Sequence, residues 1–291
     1  MKEERKGELY MFAANVLEAF FPILTVLSFI YLPSIVSLAW TTFIAMIFFA
    51  VVLLIRGTYS DLRKSLVWRY SVYSALILGI AFYALIFWGL TMTSAGNLSI
   101  LLLFQVFTSY VFFSVFKGEP FPKAHILGSA LMVVGALIVI GRDWSGVNMG
   151  DVIILLASVI APLGNYFQQK VREIAASEST LFVRTLISFP ALFLVAALLG
   201  ETSVLSDVKK ALPFLLIHGI FLFGLTKMLW LESIHRISVT KATALYSMTP
   251  LFTLLLAWPI LGEVPNMWQF ISLVPFGIGV LLLTNTLRIG R

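Results

Sequence analysis

Lys117-Gly118-Glu119-Pro120 and Leu261-Gly262-Glu263-Val264-Pro265 each follow a long apolar stretch, and the Gly-Glu pair recurs at an interval of 144 residues, from Gly118 to Gly262. The same interval places Ser94 on Ser238 and Gly135 on Gly279, and an interval of 143 places Gly7-Glu8 on Gly150-Asp151. One such coincidence would mean little. Several in register indicate that a unit of about half the chain occurs twice.

The chain has 291 residues, 60% hydrophobic and 12% charged, a composition that needs lipid as its solvent. A helix needs roughly 20 apolar residues to cross about 30 Å of hydrocarbon. Ten such windows are predicted, at 8–29, 34–55, 70–91, 97–116, 124–140, 150–169, 181–199, 213–232, 242–261 and 267–286. The expected fold is therefore an all-α integral membrane protein of ten transmembrane helices. Residues 1–145 form the first five-helix repeat and 146–291 the second. Because each repeat has an odd number of spans, the second copy lies inverted relative to the first, a 5+5 arrangement. The first window is long, holds Glu18 and has no small-residue cleavage site after it, so it is expected to remain as helix 1 and not to be removed as a signal peptide.

The net charge of +6 is explained by topology. With the N-terminus inside, fifteen Lys and Arg residues fall on the cytoplasmic side, against Arg142, Lys209 and Lys210 outside; Arg184 and Lys227 lie within helices. That bias predicts an N-in/C-in protein of the cell membrane and argues against a nucleic-acid partner. Cysteine is absent, so no disulfide, thiol chemistry or Cys-ligated metal is available. His125, His218 and His235 sit on separate segments without metal-ligand spacing, and no glycine-rich phosphate loop is present. No enzyme, cofactor or metal site is expected. Short connections leave the chemistry to the space between helices.

The paired layout, the short loops and the Gly118-Glu119 and Gly262-Glu263 ends of helices 4 and 9 resemble the drug/metabolite transporter superfamily, specifically its EamA-type members. So do Thr91-Met92-Thr93-Ser94-Ala95-Gly96-Asn97 before helix 4 and Ser233-Ile234-His235-Arg236-Ile237-Ser238 before helix 9. The resemblance implies a central cavity lined mainly by helices 1, 3, 4, 6, 8 and 9, with helices 5 and 10 at the side. It implies transport, commonly export, without fixing a substrate; the expected function is secondary transport of a small polar or amphipathic metabolite, such as an amino acid or related compound. Inverted repeats serve that task because two related halves can exchange shapes around a midplane site. A lipid scramblase, a passive scaffold and an intramembrane enzyme are the alternatives from other classes.

Candidate site residues follow from polarity at depth. Helix 1 carries Asn15, Glu18, Pro22 and Thr25 on one face, and helix 6 carries Ser158, Pro162, Asn165 and Gln169 on one face, with Gln168 beside it. At the 143 interval Asn15 meets Ser158, Pro22 meets Asn165 and Thr25 meets Gln168, so the stripe is itself repeated. It lines a cavity or holds the bundle together by interhelical hydrogen bonds. Pro22 and Pro162 are candidate hinges, since proline removes a mid-helix donor; a packing kink is the alternative. Glu18 falls near the midplane, where a charge costs roughly 2.5–3.5 kcal/mol, so it is protonated, faces a wet cavity or has a cationic partner. Lys227 is the candidate partner, with Glu232 as a competitor for it or a balance to Arg236. Gln105 in helix 4 and Tyr246 in helix 9 offer hydrogen bonds, and Tyr83 and Trp88 offer rings to stack on or sieve a ligand. His218 is expected to be a buried neutral histidine, and Arg184 a snorkelling anchor at the interface. Gly128, Gly135, Gly277 and Gly279 permit close backbone approach within a monomer or across a homodimer. Protons are a candidate coupling ion.

Overall fold

The structure is a computed structural model and describes residues 2–117, 123–141, 147–234, 236–237 and 245–283. Gly118, Glu119, Ser238 and His235 lie outside the described residues. Among the described residues are ten apolar helical rods: α1 Glu3–Phe29, α2 Ser34–Arg56, α3 Ser65–Leu90, α4 Ala95–Ser114, α5 Ala124–Ile140, α6 Met149–Arg172, α7 Ser177–Leu198, α8 Leu205–Ser233, α9 Thr249–Leu261 and α10 Met267–Leu283. Seven are long and apolar enough to cross a membrane; α5, α9 and α10 are shorter. No strand occurs among the described residues. Large apolar side chains cover the outside: Ile55 is 80% exposed and Leu198 78%, as a lipid-facing surface requires.

Helices of the two halves interlock. Heavily packed pairs are α1 with α8, α2 with α7, α3 with α6 and α5 with α10; α4 packs on α9 and more extensively on α6. Exchanging the halves maps α1 with α8 onto α6 with α3 and returns α2 with α7, α4 with α9 and α5 with α10 to themselves. Two copies related by a pseudo-twofold axis produce that pairing.

The backbone repeats in finer detail than the sequence suggests. α3 contains a π-helical stretch at Ala75–Phe82 and α8 another at His218–Leu225, offset by 143 at both ends. Gly57 and Gly200, also 143 apart, both adopt left-handed φ of 69° and 73°, at the ends of α2 and α7. No residue type marks a π-helical stretch, so hydropathy cannot reveal one; such segments are frequent at functional sites.

The two candidate hinges behave differently. α1 breaks at Ala19-Phe20, and Pro22 sits in the first turn of the helix that resumes at Phe21. Proline is tolerated there because its missing donor is not needed. Pro162 lies inside a continuous helix, Met149–Arg172. A mid-helix proline leaves the carbonyl four residues earlier without its donor. Here that carbonyl belongs to Ser158, and the Thr108 hydroxyl donates to it at 2.7 Å. At the α1 break, Thr253 donates to the Ala19 carbonyl at 3.2 Å. Each halved or strained helix is thus completed by a hydroxyl from the opposite repeat.

Carboxylates of one repeat cap helices of the other. Glu201, after α7, accepts from the Ile35 and Val36 amides at 2.7 and 3.1 Å and from the Ser34 hydroxyl at 3.0 Å, at the start of α2. Asp61, after α2, accepts from the Ala176 amide at 2.8 Å, just before α7. Negative charge at these N-termini satisfies orphan donors and the helix dipole. Partial burial pushes the Asp61 carboxyl up, but the Ala176 amide, Lys64 and Ser179 outweigh it and hold it below its usual range. Its contribution is therefore complete above the ordinary carboxylate pKa and lost as pH falls through the lowered value. Asp61→Asn should cost up to about 1 kcal/mol at neutral pH and flatten the acid side of the melting-temperature profile.

The four glycines of helices 5 and 10 divide by environment. A Cβ at Gly128 would stand 3.0 Å from the Gly279 carbonyl, and one at Gly279 would stand 2.8 Å from the Gly128 carbonyl; at Gly135 it would meet the Phe276 ring at 2.6 Å. These three close the α5–α10 contact inside the monomer. Nothing lies within 4 Å of a Cβ at Gly277. Gly279→Leu should therefore destabilise by about 1–3 kcal/mol or more through overpacking, while Gly277→Ala stays within about 0.5 kcal/mol; thermal melting in detergent reads both.

Candidate functional site

Glu18 lies one residue before the break in α1 and is only 6% exposed. Lys227 lies two residues past the π-helical stretch of α8 and donates to both Glu18 carboxylate oxygens at 2.9 Å. Leaving either charge alone at this depth would cost several kcal/mol, and the bidentate contact offsets it for both. The Tyr246 side chain lies within electrostatic reach of the same carboxylate. Tyr83, the first residue after the π-helical stretch of α3, completes the cluster within electrostatic reach of Lys227, Tyr246 and Arg184. Glu232 binds Arg236 and is not a competitor for Lys227.

An aromatic wall stands behind this cluster. Tyr83 lies 4.6 Å from Phe223 and 6.2 Å from Phe21, centroid to centroid. Phe21, Phe87 and Phe223 surround the His218 ring, whose two nitrogens are buried without hydrogen-bond partners. The histidine is buried, as the sequence suggested, but among rings and not polar groups.

The other candidates separate into three sets. Asn15 donates its amide to the Leu245 carbonyl at 2.7 Å, close to the cluster and across the repeat boundary. Gln168 accepts from Arg184 at 2.7 Å. Gln105 and Asn165 are half-buried on α4 and α6. Thr25 donates to Phe21 within α1 and serves the resumed helix. Trp88 and Gln169 are exposed and stand apart from the cluster. Their neighbours Gly89 and Gln168 take the inward positions, against α6 and Arg184 respectively, and one residue along a helix turns about 100°. Neither the stripe that held Gln169 nor the aromatic character of Trp88 fixes that rotation.

Two groups went unrecognised in the sequence. Arg184 is 4% exposed, so it does not snorkel; its stem packs beside Gly79 of α3, where a Cβ would stand 3.6 Å from its Cγ and 2.0 Å from the Ser188 hydroxyl, so the glycine makes room for Ser188. The second group is a polar network at the end of the bundle away from the N-terminus. Asp151 is fully buried and accepts from Thr93 and Asn97; Asn97 accepts from Gln269 at 2.8 Å. Beside it Glu263 accepts from the Ala95 and Gly96 amides at 3.3 and 3.4 Å, next to a recess of about 290 Å³. The Gly-Glu motif that marks the repeat therefore caps a helix of the other repeat. Gly150-Asp151 had been legible only as a repeat marker.

Interlocked repeats, a lipid-facing exterior and a buried charge pair joining the halves define a multi-pass membrane protein of duplicated design. The model of the EamA-like transporter family matches residues 5–141 and again 148–285, and the chain belongs to that family. It is a transporter by family, with a small-molecule substrate. A curated protein of Streptantibioticus cattleyicolor, named "Probable terminal-alkyne amino-acid exporter", is 26% identical over 226 residues, covering 72% of this chain and 71% of that one. A crystal structure at 19% identity superposes with a TM-score of 0.71 over 96% of both chains, which shows the same fold.

Proposed function

We propose that the protein is a secondary active exporter of a small polar or amphipathic metabolite, such as an amino acid or related compound. It works by alternating access around the Glu18–Lys227 cluster. In this reading all ten rods span the cell membrane, residues 1–145 and 146–291 are the two units, and both termini are cytoplasmic. The observation that carries it is the Glu18–Lys227 bond itself, which joins the broken helix of one repeat to the π-interrupted helix of the other. A bond placed there responds to any rocking of the two halves. With the termini inside, the Asp151–Asn97–Gln269 network and the Glu263 cap form the external gate, closed in this conformation. Protons are the candidate coupling ion, through Glu18. The exporter name of the Streptantibioticus relative agrees with the direction and the class of solute.

Purified protein in proteoliposomes, loaded with a mixture of radiolabelled amino acids, tests the proposal. Saturable efflux that responds to an imposed pH gradient supports it. Efflux no faster than from empty liposomes across the mixture overturns it.

A further inference from the structure

Arg184 is a buried cation that the Glu18–Lys227 pair does not account for. Its guanidinium stays ionised at any physiological pH and presents five donors in a planar fork. The structure gives it one hydrogen bond, to the Gln168 side-chain oxygen, a neutral acceptor; its Nε is buried with no acceptor. Among the described residues no carboxylate forms an ion pair with it. Glu18 binds Lys227, Glu178 binds Arg56, Glu232 binds Arg236, and Asp151 accepts from Thr93 and Asn97. The deep charges of the cluster are thus one carboxylate and two cations. Leaving a guanidinium unpaired at depth is costly, and such residues mark substrate paths.

We propose that Arg184 is the carboxylate-binding residue of the transport site, with Gln168 orienting its fork. This rests on the exporter reading and narrows it: the solute carries a carboxylate. A planar fork with a free Nε matches a carboxylate through two parallel bonds, which a lysine at the same position would not provide. Tyr83, within electrostatic reach of both Arg184 and Lys227, connects the docking point to the central pair. The aromatic wall of Phe21 and Phe223 beside Tyr83 accepts the apolar part of the solute. Arg184 lies on α7, outside the helices expected to line the cavity, with its stem packed beside Gly79 of α3.

Thermal melting of the detergent-purified protein tests the assignment with matched probes: L-norvaline, L-phenylalanine and pentanoate, each beside its carboxamide. At least one acid at millimolar concentration is expected to raise the melting temperature by a few degrees while its amide does not. Stabilisation by pentanoate as well as by the amino acids would define an organic-acid site; stabilisation by the amino acids alone would define an α-amino-acid site. In Arg184→Gln the acid effect disappears, and in Arg184→Lys it weakens. The assignment is overturned if no acid exceeds its amide in the wild-type protein, or if a folded Arg184→Gln responds like wild type. The acid-against-amide comparison needs no variant and survives a folding failure. Acid binding without efflux would remove the exporter reading and leave this assignment standing; efflux with equal acid and amide binding would do the reverse.

Discussion

Glu18→Gln should lower the melting temperature sharply and abolish efflux, and Lys227→Met should do the same. Each leaves the other member of a buried pair without its partner, an effect worth about 3–5 kcal/mol in comparable buried pairs. The double variant Glu18→Gln/Lys227→Met removes both charges and should recover most of the lost stability, because a neutral pair carries no desolvation penalty. Its efflux should remain absent. That divergence separates a pair kept for transport from one kept for folding, and a double-mutant cycle on melting temperature isolates the coupling between them. Tyr246→Phe removes a hydroxyl within electrostatic reach of the same carboxylate and should have a much smaller effect, about 1 kcal/mol or less.

The second large effect is expected at the far end of the bundle. Asp151→Ala strips the Thr93 hydroxyl and the Asn97 amide of a fully buried acceptor, costing about 1–3 kcal/mol. Because those bonds tie α4 to α6 across the repeats, the loss should also bias the protein toward opening at that end. The absence of cysteine makes this directly readable. Leu254, 2% exposed and packed against Gly96, can be replaced by a single cysteine and exposed to a membrane-impermeant maleimide. Labelling of Leu254→Cys should be slow alone and severalfold faster with Asp151→Ala. Equal rates in both would mean that the network has no part in closing this end.

Much of this arrangement was legible in the sequence because it follows from costs that sequence displays. A Glu near the middle of an apolar window demands a partner, and Lys227 is the deep cation that could supply it; the 2.9 Å bidentate bond between them realises that expectation. The repeat was legible from the recurring Gly-Glu pair, and at Gly262 the glycine answers a left-handed φ of 72°. What stayed hidden depends on rotation and on absent side chains. Gln169 fits a stripe by spacing and Trp88 offers a ring, yet their neighbours Gln168 and Gly89 face inward. Arg184 looked like an interface residue from its distance to the end of its helix, and only its burial and its bond to Gln168 show where its side chain goes. The π-helical stretches leave no compositional trace, although they place Tyr83 and Lys227. Gly7-Glu8 and Gly150-Asp151 were visible as a repeat without any sign that Asp151 is fully buried in a network.

The central claim is that the Glu18–Lys227 pair is the centre of transport and not a structural staple. Efflux of radiolabelled amino acids from proteoliposomes by the Glu18→Gln/Lys227→Met variant, normalised to folded protein recovered by gel filtration, tests it most directly. The variant is expected to be monodisperse and thermally stable, with no efflux above empty liposomes. A variant that folds and exports at the wild-type rate would contradict it.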